Sequence, residues 1–177
     1  HWWLTYTPAE REAAHDRIHD LHLRVYYDDG DTPAIDLTLG QFFGIMLGQD
    51  LYAVYSAALT VMPKNALNCY LPMPFGAMRM ELKNRSASKV SIWFMADWHG
   101  YSGKSLTPLR LTTCPHAEHT ASSAGSYLMA DMTGEGFIAG MTKAVRVQDE
   151  SDAWYHTGGD LWLLDGETDP HPMRGIG

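Results

Sequence analysis

The chain has 177 residues, 45% apolar and 19% charged, with a formal charge of -8. That is enough chain to bury a sizeable core, as one domain or two compact halves, and too apolar for a disordered tail. The acidic balance argues against a nucleic-acid partner, and no apolar run is long enough to span a membrane as a helix.

The start, HWWLTYTPAEREAAH, lacks the basic, apolar and small-residue succession of a signal peptide. Beginning at His1 without a methionine and ending at Gly177, the sequence reads as a piece of a longer chain. Location is left open, with a secreted or cell-surface site favoured over the cytoplasm. Trp2, Trp3, Leu4 and Tyr6 predict a first strand ended by Thr7-Pro8, and AEREAAHDRIHDL then has the propensity of a short helix. His15, His19 and His22 fall at i, i+4 and i+7. The Glu of HExxH is absent and Leu21 begins a strand, so no metal site is expected.

LHLRVYYD and PAIDLTL alternate around the turn DDGD and predict a hairpin, its acidic turn solvated rather than calcium-binding. Residues 40 to 48, GQFFGIMLG, read as a buried turn whose glycines let the backbone approach a neighbour. Two short apolar runs, 57 to 62 and 66 to 71, are followed by Pro72 and Pro74, which fix an extended segment. Ala77 to Lys83 and Val90 to Trp98 read as strands around a polar turn that carries the sequon Asn84-Arg85-Ser86. Asn68, Tyr70 and Met73 suit either a packing strip or the lining of a sugar pocket.

Residues 99 to 124 lose periodicity, predicting a long surface excursion that contains PHAEHT. His116, Glu118 and His119 there are close enough in sequence to act as acid/base groups or metal ligands, the metal reading being disfavoured without a third, distant ligand. Strands are expected again at 126 to 131 and 137 to 147. The last stretch, WYHTGGDLWLLDGETDPHPMRGIG, predicts a strand running from Asp160 into a tight turn at Asp165-Gly166. Its carboxylates, Asp160, Asp165 and Glu167, are candidate reacting groups, with a solvated turn as the plainer reading. Cys69 and Cys114 lack CxxC spacing; two buried free thiols are expected, with a single bridge as the alternative. Many short strands and little helix argue an all-β antiparallel sandwich.

LHLRVYYDDGDTPAIDLTLGQFFG, the stretch Asn68-Cys-Tyr70-Leu-Pro72-Met73-Pro74-Phe75, His116-Ala117-Glu118 and Asp165-Gly166-Glu167 resemble motifs of glycoside hydrolase family 172, the α-D-fructofuranosidase and D-arabinanase group. The resemblance implies jelly-roll sandwiches in a double jelly-roll architecture: strands of the first over 1–100, a surface loop over 101–124, and strands leading into the second over 125–177. It also implies homo-oligomers, trimeric or hexameric, a carbohydrate ligand, and neither metal nor cofactor. The chemistry implied is retaining hydrolysis of furanosides by two carboxyl groups about 5 to 5.5 Å apart. The family's nucleophile position falls on Gly158 here, and its acid/base lies beyond Gly177. Asp160, Asp165 and Glu167 then stand as candidate catalytic carboxylates, with Asn68, Tyr70, His116, Glu118 and Trp154 as substrate contacts. The alternatives are an inactive structural subunit of a ring, tube or shell, or a carbohydrate-binding module.

Overall fold

Strand β1 (Trp2–Pro8) alternates, as its sequence predicts: Trp2, Leu4 and Tyr6 are buried, while Thr7 is exposed. The computed structural model to which it belongs describes residues 1–8, 17–62, 66–102, 107–117, 127–147, 159–169 and 171–174. Two compact units emerge, His1–Thr142 and Lys143–Gly177.

In the first unit a 3₁₀ turn at Arg17–His19 leads into β2 (Leu21–Tyr27), which pairs antiparallel with β3 (Ile35–Thr38) in the expected hairpin. The predicted helix from 9 to 21 lies mostly outside the described residues. The glycine-bearing stretch after β3 contains a short helix, α1 (Leu39–Phe43), where the sequence suggested only a turn. Thr38 and Gln41 supply its capping box, and Gly44 closes it with φ 82°. The close approach expected of its glycines holds at Gly40, where a Cβ would meet Ile45 O at 2.6 Å.

Short strands β4 (Val54–Tyr55), β5 (Leu59–Met62) and β6 (Ala66–Cys69) follow, and residues 70–75 form no regular element, in keeping with the two prolines. β7 (Met78–Asn84) and β8 (Val90–Ala96) flank the polar turn but join different sheets. Asn84 shapes that crossing: its side chain accepts from Ser86 N and donates to Ser88 O. One sheet runs β4-β5-β6-β1-β8 and the other β3-β2-β7, all pairings antiparallel. Their apolar faces share one core, with Leu4 and Leu67 from the first, Leu23 and Ile35 from the second, and Phe43 from α1. The first unit is therefore an all-β sandwich, with one short α-helix among the described residues.

Residues 127–147 differ from expectation: they form no strand, and Phe137 remains 80% exposed. A period-two pattern provides the side chains of a strand but no partner for its N–H and C=O groups. Residues 97–102 and 107–117 also lack regular structure, as expected for the excursion. Both cysteines are free thiols as expected, but only Cys69 is buried; Cys114, expected to be buried too, is exposed because it lies in the surface excursion. Burial pushes the Cys69 thiol up.

Asp28 fastens the excursion to the sandwich. Both Asp28 and Asp29 have positive φ (53° and 61°), in a tight turn closed by Gly30 N donating to Tyr27 O at 3.0 Å. One carboxylate oxygen of Asp28 accepts from Gly76 N (2.9 Å) and Ala77 N (3.0 Å). The other accepts from Arg110 Nε at 2.7 Å. A Cβ at Gly76 would stand 2.9 Å from the first of these oxygens, so a larger residue there would have to displace the Asp28 side chain. A few residues further along, the carbonyl of Ala34 accepts from Thr113 N at 3.0 Å and from Thr112 Oγ1 at 2.9 Å, a second tie between the excursion and the start of β3. The Arg110 guanidinium, then the backbone amides, holds the Asp28 carboxyl below the usual range. A depressed carboxylate stabilises the fold above its unfolded value, about 3.9, and that contribution is lost as pH falls through the lower folded value. Asp28→Asn is therefore expected to lower stability at neutral pH and to lessen its fall below about pH 4, measured as urea midpoints across an acid titration.

Candidate functional site

β1 lies between β6 and β8, and its register decides what gathers at one end of the sheet. Trp2 stands opposite Cys69 on one side and Ala96 on the other. One residue earlier, the same registers set His1 against Tyr70 and Asp97. The His1 and Tyr70 rings stack at 4.7 Å with an 11° tilt. His1 Nδ1 lies 3.2 Å from Asp97 Oδ2, and Asp97 N donates to His1 O at 2.8 Å. Beside them, His1 Nε2 is 3.5 Å from Asn68 Oδ1, and Asn68 Nδ2 donates to Thr60 Oγ1 at 3.1 Å. Strand alternation puts Asn68, opposite Trp3 and Thr60, on the face away from the core.

Two residues singled out from sequence, Asn68 and Tyr70, are thus brought together, and His1, Asp97 and Thr60 join them. Sequence reasoning missed the last three because 96 positions separate His1 from Asp97. Only the pairing of β1 with β8 makes them neighbours. Tyr70 is 49% exposed. An accessible aromatic ring beside an amide, an imidazole and a carboxylate suits hydroxyl-rich ligands, offering a stacking surface with both donors and acceptors.

The other candidates are placed elsewhere. His116 packs edge-on against Tyr127, centroids 5.4 Å apart. Glu118, His119, Trp154 and Gly158 lie outside the described residues. Asp160 sits half-buried in β9 (Gly159–Trp162), opposite Met173 of β10 (His171–Arg174) in the second unit. Asp165 and Glu167 belong to the turn of that hairpin. Positive φ at Asp165 (52°) and Gly166 (81°), with Glu167 N donating to Leu164 O at 2.9 Å, makes the type I′ geometry that Asp-Gly favours. The Glu167 carboxylate accepts from Leu164 N at 3.0 Å, so it holds the turn from outside.

A second polar group lies on the outer face of the smaller sheet. Asp36 takes hydrogen bonds from buried His22 and from Arg24 Nε, the latter at 3.2 Å. The His22 bond, then that of Arg24, depresses the Asp36 carboxyl. Arg79 lies over the Tyr26 ring, 3.8 Å from its centroid. His19 donates to Gln49 O at 2.7 Å. His15 lies outside the described residues, and among those described no cluster of three His, Cys, Asp or Glu side chains could hold a metal.

Residues 7–95 match the sequence profile of a family described as GH172 domain-like, about half of the chain. The chain belongs to this GH172-like family. No curated protein matches it. The GH172-like span is glycoside hydrolase-like in kind, and it takes in the strands of both sheets except the first residues of β1 and the last of β8. Asn68 and Tyr70 fall inside it; His116 and the Asp160–Glu167 hairpin fall outside.

The role of Glu167 in the turn is open to a direct check. Glu167→Gln keeps an oxygen acceptor for Leu164 N, whereas Glu167→Ala removes it at a cost of about 0.5–1.5 kcal/mol. Amide exchange at Leu164 should quicken in the alanine variant and stay near wild type in the glutamine variant.

Proposed function

We propose that this GH172-like chain is a furanoside-directed glycoside hydrolase-like protein that recognises its sugar through the cluster of His1, Asn68, Tyr70 and Asp97. The observation that carries this reading is the meeting of Asn68 and Tyr70, residues of the family-like motif, with a carboxylate and an imidazole at one end of a sheet. The furanose ring packs on the face of Tyr70 turned away from His1, and its hydroxyls exchange hydrogen bonds with Asn68 and Asp97. The ligand class is α-D-fructofuranosides or D-arabinofuranosides. The sandwich is read as the first jelly roll of a double jelly roll.

Retaining hydrolysis needs one ionised and one protonated carboxyl across the scissile bond. Gly158 cannot supply the nucleophile. Of the hairpin carboxylates, Glu167 is engaged by the turn, leaving Asp160 as the displaced nucleophile to test and Asp165 as its companion. Turnover of an aryl α-D-arabinofuranoside that disappears in Asp160→Asn supports the hydrolytic step. Saturable sugar binding without turnover, weakened roughly tenfold by Tyr70→Ala through loss of a stacking face, supports a carbohydrate-binding module instead. Absence of both binding and turnover overturns the carbohydrate reading. A second reading, an inactive subunit of a ring, tube or shell assembled from trimers or hexamers, draws on the exposed apolar side chains Trp93, Phe94 and Met95.

A further inference from the structure

The start of β5 holds the two motif residues of the β6 end in place. The carbonyl of Ala58, just before β5, accepts from Tyr70 N at 2.8 Å, carrying the β5–β6 pairing one residue past Leu59 and Cys69. Ala58 is itself fixed by Ser56, whose hydroxyl accepts from Ala58 N (3.2 Å) and Leu59 N (2.9 Å) and donates to Leu59 O (2.9 Å). The backbone that carries the Tyr70 ring is thereby set before any ligand arrives.

Thr60 does for the side chain of Asn68 what Ala58 does for the backbone of Tyr70. The two stand directly opposite in the β5–β6 register, both half-buried on the face away from the core. Asn68 Nδ2 donates to Thr60 Oγ1 at 3.1 Å, which leaves Oδ1 on the side of His1, 3.5 Å from Nε2. The two ends of an amide differ, one accepting and one donating, so the end that is tied down decides the end that is offered. A β-branched side chain holds its hydroxyl in few rotamers, which makes threonine a firmer anchor than serine.

We propose that Thr60 is a positioning residue of the furanoside cluster: by accepting from Asn68 Nδ2 it turns Asn68 Oδ1 toward the ligand, so that the cluster selects sugars able to donate from free hydroxyl groups. This role rests on the cluster's being a sugar site. Oδ1 has two lone pairs and can take a ligand O–H while it faces the imidazole. On the other side of His1, the Asp97 carboxylate lies 3.2 Å from Nδ1 and is likewise an acceptor. Two of the polar groups beside Tyr70 therefore accept. A sugar hydroxyl can donate to them, whereas a fluorine in its place cannot. Turned over, the amide would direct Nδ2 toward His1 and offer a donor, and this selectivity would be lost.

Titration calorimetry of the full chain with methyl α-D-arabinofuranoside and its monodeoxyfluoro analogues tests the assignment. In wild type at least one fluorine replacement should weaken binding by roughly tenfold, the loss of one donated hydrogen bond. Thr60→Val keeps the shape of the side chain and removes its hydroxyl. It should weaken the parent sugar by roughly three- to tenfold and narrow at least one fluorine penalty to about twofold, and Thr60→Ser should restore most of both. A second readout needs no sugar: exchange of the Asn68 side-chain amide protons, followed by NMR, should quicken in Thr60→Val and stay near wild type in Thr60→Ser. Melting temperatures separate loss of orientation from loss of fold, and Thr60→Ala gives the same comparison if valine disturbs the sheet. Fluorine penalties undiminished by loss of the hydroxyl, or Asn68 amide protons indifferent to it, overturn the role of Thr60. A wild-type chain that binds none of these furanosides while Thr60→Val still frees the amide overturns the sugar reading and supports the hold of Thr60 on Asn68.

Discussion

The packing of Trp2 on Phe42 and Phe43 is the contact on which both sheets depend. The Trp2 ring meets Phe43 edge-on at 5.4 Å and Phe42 at 5.7 Å, joining a central strand of the larger sheet to the helix that follows β3. Full burial of a large apolar side chain is worth about 1.5–3 kcal/mol, and a well-oriented aromatic pair adds about 0.5–1.5 kcal/mol. Because side chains alternate along a strand, holding Trp2 inward also holds Leu4 and Tyr6 inward and directs Trp3 outward. One packing choice thereby sets the inner and outer faces of β1, and with them the composition of the polar cluster.

Polar fastening does the rest in places where the apolar core cannot reach. Asp28 joins the β2 turn, the Gly76-Ala77 backbone and Arg110, three segments far apart in the chain. A carboxylate suits this task because its two oxygens accept several hydrogen bonds at once, and a charge-assisted bond to arginine is stronger than a neutral one. Nearby, burial pushes the Tyr27 hydroxyl up to about 12, so this side of the molecule keeps a neutral phenol beside its ion pair.

The family match and the candidate carboxylates fall in different parts of this chain. The GH172-like match spans most of the sandwich, whereas Asp160, Asp165 and Glu167 lie in a hairpin of the second unit, outside that span. A sandwich can carry many chemistries, and the side chains mounted on its edges decide which. Here one end of the larger sheet presents an aromatic and polar cluster.

Sequence by itself determined the local elements whose causes are local. The alternation of β1 and β3, the hairpin of β2 with β3, the proline-stiffened segment after β6 and the Asp-Gly turn at 165–166 follow from side-chain period, fixed proline φ and the tolerance of positive φ. It also carried the family resemblance through the motif that contains Asn68 and Tyr70. Only the tertiary structure decided which strands pair, because register across a sheet arises from contacts between residues distant in sequence. That is why β7 and β8, neighbours in the chain, part into different sheets, why His1 and Asp97 meet, and why Asp28, legible only as part of an acidic turn, proves to anchor Arg110. Residues 127–147 mark the same boundary from the other side: they have the alternating pattern of strands, but no pairing partner among the described residues turns it into a sheet.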